Sequence, residues 1–161
     1  YDLTREVVEK GLASAVWPGR LEHIQNNPLV ILDGAHNLHA SKVLGQHLKA
    51  ELKGKKLTLV VGILDDKPYE KMLENMMVCA DRVIITQAKI DRSIPAQTLE
   101  KAVRKIKKVP VSIVDDVKEA VVHAIETTGK DDAVCIAGSL YVAGEAKEKF
   151  DNDLEQIANM E

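Results

Sequence analysis

The chain has 161 residues, about the length of one domain of ordinary size. Hydrophobic residues make up 45% and charged residues 29% of the sequence, which excludes a disordered or fibrous protein. The formal net charge of -3 and the aromatic content of 3% argue against binding to nucleic acid or to an acidic membrane surface. Two cysteines, Cys79 and Cys135, are too few for a disulfide framework or a zinc site.

Nothing in the sequence predicts a membrane-bound or secreted protein. No apolar run approaches the ~18 residues of a spanning helix, and the first residues do not resemble a signal peptide. We therefore expect a cytoplasmic protein. As a separate expectation, the protein is a monomer. The chain begins at Tyr1 with a helical pattern already under way, so we expect it to be a piece of a longer polypeptide.

The first predicted elements are a helix and an edge strand. Residues 4–15 carry apolar side chains at helical spacing, with Thr4 as a plausible cap. The Pro and Gly of residues 17–20 end this helix. Residues 21–25 alternate between apolar and polar side chains, which is typical of a half-exposed edge strand.

From residue 29 onward, strands alternate with helices. Short runs rich in Val, Ile and Leu predict five strands buried on both faces, at 29–32, 57–63, 82–86, 109–114 and 133–137. Apolar stripes between and after them predict helices, near 40–52, 69–76, 99–106, 117–125 and from 140 onward. This alternation predicts a three-layer, Rossmann-like α/β fold. We expect a six-stranded, mostly parallel sheet with helices on both faces, made of five parallel strands and one antiparallel edge strand.

Two common nucleotide-binding motifs are missing from the chain. It has no G-x-x-x-x-G-K-[ST] sequence and therefore no P-loop of its own. It also lacks G-x-G-x-x-G after the first parallel strand, which argues against a dinucleotide-binding domain. Polar and glycine residues nevertheless gather where the predicted strands end, at 33–37, 62–67, 87–89 and 138–141. Ligands bind at this edge of open parallel sheets.

Asp33 and His36 follow the first buried strand. Asp33 is either an acceptor for a ribose diol or a cap for the following helix, and its position leaves both interpretations open. His36 is interpreted as a hydrogen-bond donor at a polar site. His36 and His39 have a spacing that suits a metal on a helix, but no third ligand is evident, so we expect no metal site.

Three further residues are candidates for anion binding. Arg20 lies on a Pro-Gly turn before a strand, a suitable place for a phosphate clamp. Ser139 follows Gly138 at a helix start, where it either helps to bind an anion or simply caps the helix. Lys67 either binds a carboxylate or phosphate or is a solvated loop charge.

Four segments taken together resemble the carboxy-terminal third of folylpolyglutamate synthases, including the bifunctional dihydrofolate synthase/folylpolyglutamate synthases of bacteria. In chain order they are WPGRLE at 17–22, DGAHN at 33–37, DK at 66–67 and GSLYVAG at 138–144. These enzymes belong to the Mur ligase superfamily of ADP-forming amide ligases. The resemblance covers nearly the whole chain. Two positions depart from it: Leu38 stands where relatives usually have Pro, and Lys147 stands where Arg is common, so Lys147 is not assigned to the site.

The resemblance implies a function and a division into domains. Residues 1–150 would be a Mur ligase C-terminal-like domain and residues 151–161 an acidic tail, either a frayed helix or disordered. The P-loop domain of the relatives precedes this region, so the chain alone is expected to be inactive. The parent enzyme would use ATP and Mg²⁺ to activate a folate carboxylate as an acyl phosphate, which L-glutamate then attacks.

The resemblance also assigns roles to single residues. Arg20 would reach the ATP phosphates and act in catalysis, and Asp33 would bind the ribose. His36 would act beside the incoming glutamate, with Ser139 and Lys67 as further glutamate-binding residues. Two other classes stay open: the Rossmann-like domain of an oxidoreductase, which the missing glycine motif disfavours, and a non-enzymatic receiver-type module, which leaves Arg20 and His36 unexplained.

Overall fold

A computed structural model of the chain describes residues 3–15 and 17–158. Within these residues the strands are β1 (Glu22–Asn26), β2 (Leu29–Leu32), β3 (Leu57–Val61), β4 (Arg82–Ile85), β5 (Val111–Ile113) and β6 (Ala133–Ala137). The α-helices are α1 (Arg5–Ala13), α2 (Leu38–Glu51), α3 (Tyr69–Met76), α4 (Ala96–Ile106), α5 (Val117–Thr127) and α6 (Leu140–Ala158). A short 3-10 turn, Met77–Cys79, follows α3.

The strands form one sheet in the order β1-β2-β6-β3-β4-β5. Strands β2 to β6 pair in parallel, and β1 pairs antiparallel with β2 at one edge. The predicted α/β fold with five parallel strands and one antiparallel edge strand is therefore confirmed. The strand predicted at 109–114 is shorter than expected, and β5 begins only after Pro110, which has no N–H for pairing.

Helices cover both faces of the sheet because the strands present apolar side chains to each face in alternation. Ile31 points to the layer formed by α2, α3 and α4, whereas Val30 and Leu32 point to the layer formed by α5 and α6. Cys135 on β6 is fully buried in the first of these layers, as its apolar surroundings predict. Burial raises the pKa of this thiol, which keeps it protonated and unreactive at neutral pH.

Helix α1 differs from the other helices because none of its residues is buried. The predicted cap Thr4 accepts a hydrogen bond from the Val7 amide at 3.3 Å. The apolar side chains Val7 and Leu12 are 54% and 72% exposed. In the described part of the chain, no helix is both long enough and apolar enough to span a membrane.

Helix α6 continues past the domain boundary predicted after residue 150. It runs to Ala158, so residues 151–158 of the predicted acidic tail are helical. Residues 159–161 lie outside the described part of the chain.

Candidate functional site

A cleft of about 420 Å³ lies at the carboxyl end of β2. Its walls are the turn at residues 17–20, the segment 33–37, and the side chains of His39, Ala40 and Leu140. The cleft thus brings together three predicted site residues, Arg20, Asp33 and His36. It lies at the sheet edge where the parallel strands end, as expected for ligand binding in this class of fold.

Asp33 is 9% exposed and uses both carboxylate oxygens to hold backbone amides. Its Oδ1 accepts from the Ala35 amide and its Oδ2 from the Leu21 amide, both at 2.9 Å. The alternative in which Asp33 caps the next helix is wrong, because Asn37 caps α2 by accepting from the Ala40 amide. The carboxylate retains acceptor sites that are free for a ligand, since it has about four lone-pair sites in all.

Arg20 projects from a turn that packs against the segment after β2. The Gly19 carbonyl accepts from the Gly34 amide at 2.6 Å, and a side chain on Gly34 would collide with Leu140. The Arg20 guanidinium lies 6.0 Å from the Trp17 ring centroid, a cation–π distance. Among the side chains that the structure describes, no carboxylate forms an ion pair with Arg20, so the guanidinium is available to an anion.

Glu22 supports the same turn from its other side. Its Oε2 accepts from the Gly19 amide at 2.7 Å, and its Oε1 lies 2.5 Å from the Nζ of Lys147 on α6. Burial acts to raise the pKa of Glu22, but hydrogen bonds from Lys147 and Gly19 outweigh it and lower the pKa. The hydrogen bond to Glu22 raises the pKa of Lys147, so both groups are charged at neutral pH.

His36 is partly buried, and its Nδ1 lies 2.8 Å from the Gly34 carbonyl oxygen. Because a carbonyl oxygen only accepts hydrogen bonds, Nδ1 carries the proton and donates it there. The Nε2 atom of the neutral ring is then an acceptor. The Nδ1 donor of His36 is thus used within the loop, and Nε2 is the ring nitrogen left for a ligand.

Ser139 and Lys67 are placed differently from the three residues of the cleft. Ser139 is 1% exposed, and its Oγ accepts from the amides of Tyr141 and Val142, so it caps α6. Lys67 lies in the loop after β3 and pairs with Asp66 at 2.7 Å. Neither residue lines the cleft. Their glutamate-binding roles stay predictions.

The support that Glu22 and Lys147 give to the Arg20 turn was not predicted from the sequence. The sequence marks Glu22 only as part of the motif at 17–22, and Lys147 is not among the predicted site residues. A carboxylate three residues after a turn glycine is a local signal that points to Glu22. No sequence signal indicates Lys147, because 125 residues separate it from its partner.

The sequence profile of a known family, described as Mur ligase, glutamate ligase domain, matches residues 19–140. The chain belongs to this family, as the resemblance predicted. The dihydrofolate synthase/folylpolyglutamate synthase of Bacillus subtilis is 29% identical over 148 residues, which are 92% of this chain and 34% of that protein. The folylpolyglutamate synthase of Lacticaseibacillus casei is 30% identical over 149 residues, 92% of this chain and 33% of that protein.

Solved structures agree with the sequence relatives. The structure described as E. coli FolC in complex with DHPP and ADP has a TM-score of 0.87 and 26% identity to this chain. The match covers 95% of this chain and 36% of that one. The chain therefore spans about a third of the length of the relatives it matches.

Proposed function

We propose that this chain is the carboxy-terminal domain of an ADP-forming ligase that joins L-glutamate to a folate carboxylate. The parent would be a cytoplasmic folylpolyglutamate synthase, with or without dihydrofolate synthase activity. One observation carries the proposal: an unpaired guanidinium, a buried carboxylate and a histidine with a free nitrogen line one cleft at the ligand-binding edge of the sheet. Family membership and the named relatives supply the reaction class.

The proposed reaction has two steps. A folate carboxylate oxygen attacks the γ-phosphorus of ATP, and the bond to the β-phosphate oxygen breaks, which gives an acyl phosphate and ADP. The amine nitrogen of L-glutamate then attacks the acyl carbon, phosphate leaves with the acyl oxygen, and the nitrogen releases a proton. Phosphoryl transfer of this kind depends mainly on positioning and on stabilisation of developing charge.

Arg20 and Asp33 would act on the nucleotide. The exposed guanidinium of Arg20 supplies a planar, permanently charged donor for phosphate oxygens. Asp33 is held rigidly by the amides of Leu21 and Ala35, and its remaining lone pairs suit the two hydroxyl donors of a ribose. The amide of Leu21 also links Asp33 to the turn of Arg20. The residues proposed to bind ribose and phosphate are therefore held in a fixed position relative to each other.

His36 would act on the incoming glutamate. With Nδ1 donating to the Gly34 carbonyl, Nε2 can accept a hydrogen bond from the amine and take its proton after attack. Ser139 and Lys67 would contribute to the glutamate site less directly. Ser139 fixes the start of α6, and Lys67 offers a positive charge near the end of β3.

A preceding P-loop domain of the same polypeptide would complete the active site. The relatives are about three times as long as this chain, which leaves room for such a domain. Residues 1–150 would form the ligase domain, with 151–161 as an acidic extension. Closure of the two domains would exclude water, which otherwise hydrolyses an acyl phosphate.

Divalent metal binding would belong to the preceding domain. In residues 3–15 and 17–158, no three His, Cys, Asp or Glu side chains converge as a metal site requires. A structure of the Yersinia pestis relative is described as a complex with AMPPNP and Mn ion. A divalent ion of this kind would screen phosphate charge in the parent enzyme.

Replacing Arg20 by Ala in the full-length ligase tests the proposal. Turnover should fall by about 10²- to 10³-fold, the usual effect of losing one oriented donor to developing charge. The melting temperature should stay nearly unchanged, because Arg20 is exposed. The assay is ADP release in the presence of ATP, a folate and L-glutamate.

A matched control is Arg104→Ala on α4. Arg104 is also exposed, but it pairs with Glu100 of its own helix and does not line the cleft. This variant should retain its activity. Near-normal turnover of Arg20→Ala would contradict the phosphate-binding role. Tighter binding of NAD than of ATP by the unaltered protein would contradict the ligase class.

A further inference from the structure

The Arg20 turn depends on backbone contacts for its shape. The Gly19 amide donates to Glu22, the Gly19 carbonyl accepts from Gly34, and the Leu21 amide donates to Asp33. The amides directly before and after Arg20 are therefore both held by carboxylates. The function proposed above explains Asp33, but it gives no role to Glu22.

The turn needs these contacts because its backbone is strained. Gly19 has a φ of +68°, and Leu21 has a φ of +46°, in the left-handed region that residues with a side chain rarely adopt. A leucine in this conformation favours relaxation to an extended backbone. Such a relaxation would redirect Arg20. The hydrogen bonds of the Gly19 and Leu21 amides therefore set the direction in which the Arg20 side chain leaves the turn.

Glu22 is itself fixed by a third element of the fold. Its second oxygen binds Lys147, whose helix α6 is held to the sheet by the buried residues Val142, Ala143 and Ala146. The side chains of Glu22 and Lys147 are only 19% and 33% exposed. The chain of contacts therefore runs from the core, through Lys147 and Glu22, to the Gly19 amide.

We propose that Glu22 and Lys147 are positioning residues that hold the Arg20 turn in its active conformation. Neither side chain lines the cleft, so neither would touch substrates bound there. Glu22 acts through the Gly19 amide, and Lys147 acts through Glu22. The inference rests on the proposed function, because the shape of the turn affects turnover only if Arg20 acts on the ATP phosphates.

The pH dependence of folding follows from the charges of this pair. The pKa of Glu22 is lowered in the folded chain from its ordinary value of 4.5. Its contribution to stability is therefore complete above about pH 4.5 and is lost as the pH falls through the lowered pKa. The pair is intact in the neutral range in which the ligase would work.

The first experiment measures turnover of single variants in the full-length ligase. Glu22→Met removes the acceptor of the Gly19 amide and should lower kcat by about 10- to 100-fold, the effect expected of a small misplacement of a reacting group. Lys147→Met should lower kcat less, because Glu22 can still accept from Gly19. Lys147→Arg should retain nearly full activity. The KM for L-glutamate should stay unchanged in all three variants.

A matched control uses the next residue of the same helix. Glu148 pairs with Lys118 across α5 and α6 at 3.0 Å, away from the turn. Glu148→Gln breaks another Lys–Glu ion pair of α6, a more exposed one, and should leave kcat unchanged. An equal loss of kcat in this variant would overturn the proposal, since any ion pair of α6 would then matter.

The reversed pair, Glu22→Lys with Lys147→Glu, separates positioning from simple stabilisation. It restores an ion pair between β1 and α6. Its melting temperature should therefore lie closer to that of the unaltered protein than the melting temperature of either single change does. It gives the Gly19 amide no acceptor from residue 22, so kcat should stay low. Recovery of both quantities would show that the pair is only a link between two elements, and would overturn the proposal.

A spectroscopic measurement keeps this inference distinct from the role of Arg20. Trp17 is the single tryptophan of these 161 residues and is the first residue of the turn. Labelling with 5-fluorotryptophan therefore gives a ¹⁹F signal, which Trp17→Phe assigns. Glu22→Met should shift or broaden this signal, and Glu148→Gln should not. An unmoved signal would overturn the inference. If Arg20→Ala keeps its activity while the signal moves, the proposed function fails and the support of the turn stands.

Discussion

At the scale of single residues, Asp33 has a structural and a proposed ligand-binding role at once. Its oxygens hold the amides of Leu21 and Ala35, which lie on two different segments. A ribose would bind to the lone pairs that these amides leave free. The two roles are measurable separately, because one affects folding and the other affects nucleotide affinity.

We expect Asp33→Ala in the full-length ligase to lower both quantities. Loss of the partner of the buried Ala35 amide should reduce the free energy of unfolding by about 1–3 kcal/mol, and loss of a charged hydrogen bond to ribose should weaken ATP binding by about 10- to 100-fold. Urea unfolding and calorimetric titration measure the two effects. The unaltered enzyme should bind ATP more tightly than 2′,3′-dideoxy-ATP, and the variant should scarcely distinguish them. Equal discrimination by both proteins would contradict ribose binding.

The same residue shows what the sequence can predict at this scale. Its position at the end of a buried strand marks Asp33 as a candidate, because such ends face the ligand edge of a parallel sheet. The amide of Leu21, twelve residues away, is brought to it only by the antiparallel pairing of β1 with β2. Long-range partners of this kind have no local signal, so the contact between Asp33 and the Arg20 turn could not be predicted from the sequence.

At the scale of elements, the contact between α2 and α3 depends on Gly45. A Cβ atom at this position would lie 2.1 Å from the Asn75 carbonyl oxygen, which belongs to the backbone of α3. The two helices therefore approach more closely than any side chain at residue 45 would allow. Nearby, the Asn75 side-chain amide donates to the Ser41 hydroxyl at 3.0 Å, which fixes the register of the contact.

We expect Gly45→Ala to destabilise the chain although alanine is the better helix former. Pushing the helices apart should cost about 1–3 kcal/mol, more than the 0.5–1 kcal/mol gained from helix propensity. Gly144→Ala on α6 is the control, because an added Cβ there meets no atom within 4 Å. It should raise the midpoint of urea unfolding, whereas Gly45→Ala should lower it. Changes of the same sign would refute the close approach.

At the scale of the whole molecule, the order and type of the elements could be predicted because they depend on local patterns. Strands buried on both faces are apolar runs, and the helices carry apolar stripes. The helix at residues 4–15 was predicted for the same reason, and its cap Thr4 is confirmed. Its apolar stripe does not pack on this domain, however, because a periodic pattern identifies a buried face without identifying what covers it.

The apolar side chains of α1 form a solvent-exposed face. By helical spacing, Val7, Val8 and Leu12 lie on one side, together with Gly11, and the ion pairs Arg5–Glu9 and Glu6–Lys10 lie on the other. Gly11 has nothing within 4 Å of an added Cβ, so this domain does not require a glycine there. Because the chain spans about a third of its relatives, we infer that the P-loop domain of the proposed ligase would cover this face.

This inference predicts opposite results for two forms of the protein. In the full-length ligase, Val8→Asp with Leu12→Asp should lower the melting temperature and the turnover, since two charges would be buried without partners against the preceding domain. In the 161-residue chain the same changes should leave the melting temperature nearly unchanged, because both side chains already face solvent. Differential scanning calorimetry of both forms makes the comparison, with Glu9→Gln on the polar side of α1 as the control that should affect neither. A full-length variant as stable as the unaltered enzyme would place α1 outside the domain contact, and destabilisation of the short chain would show that α1 packs within this domain.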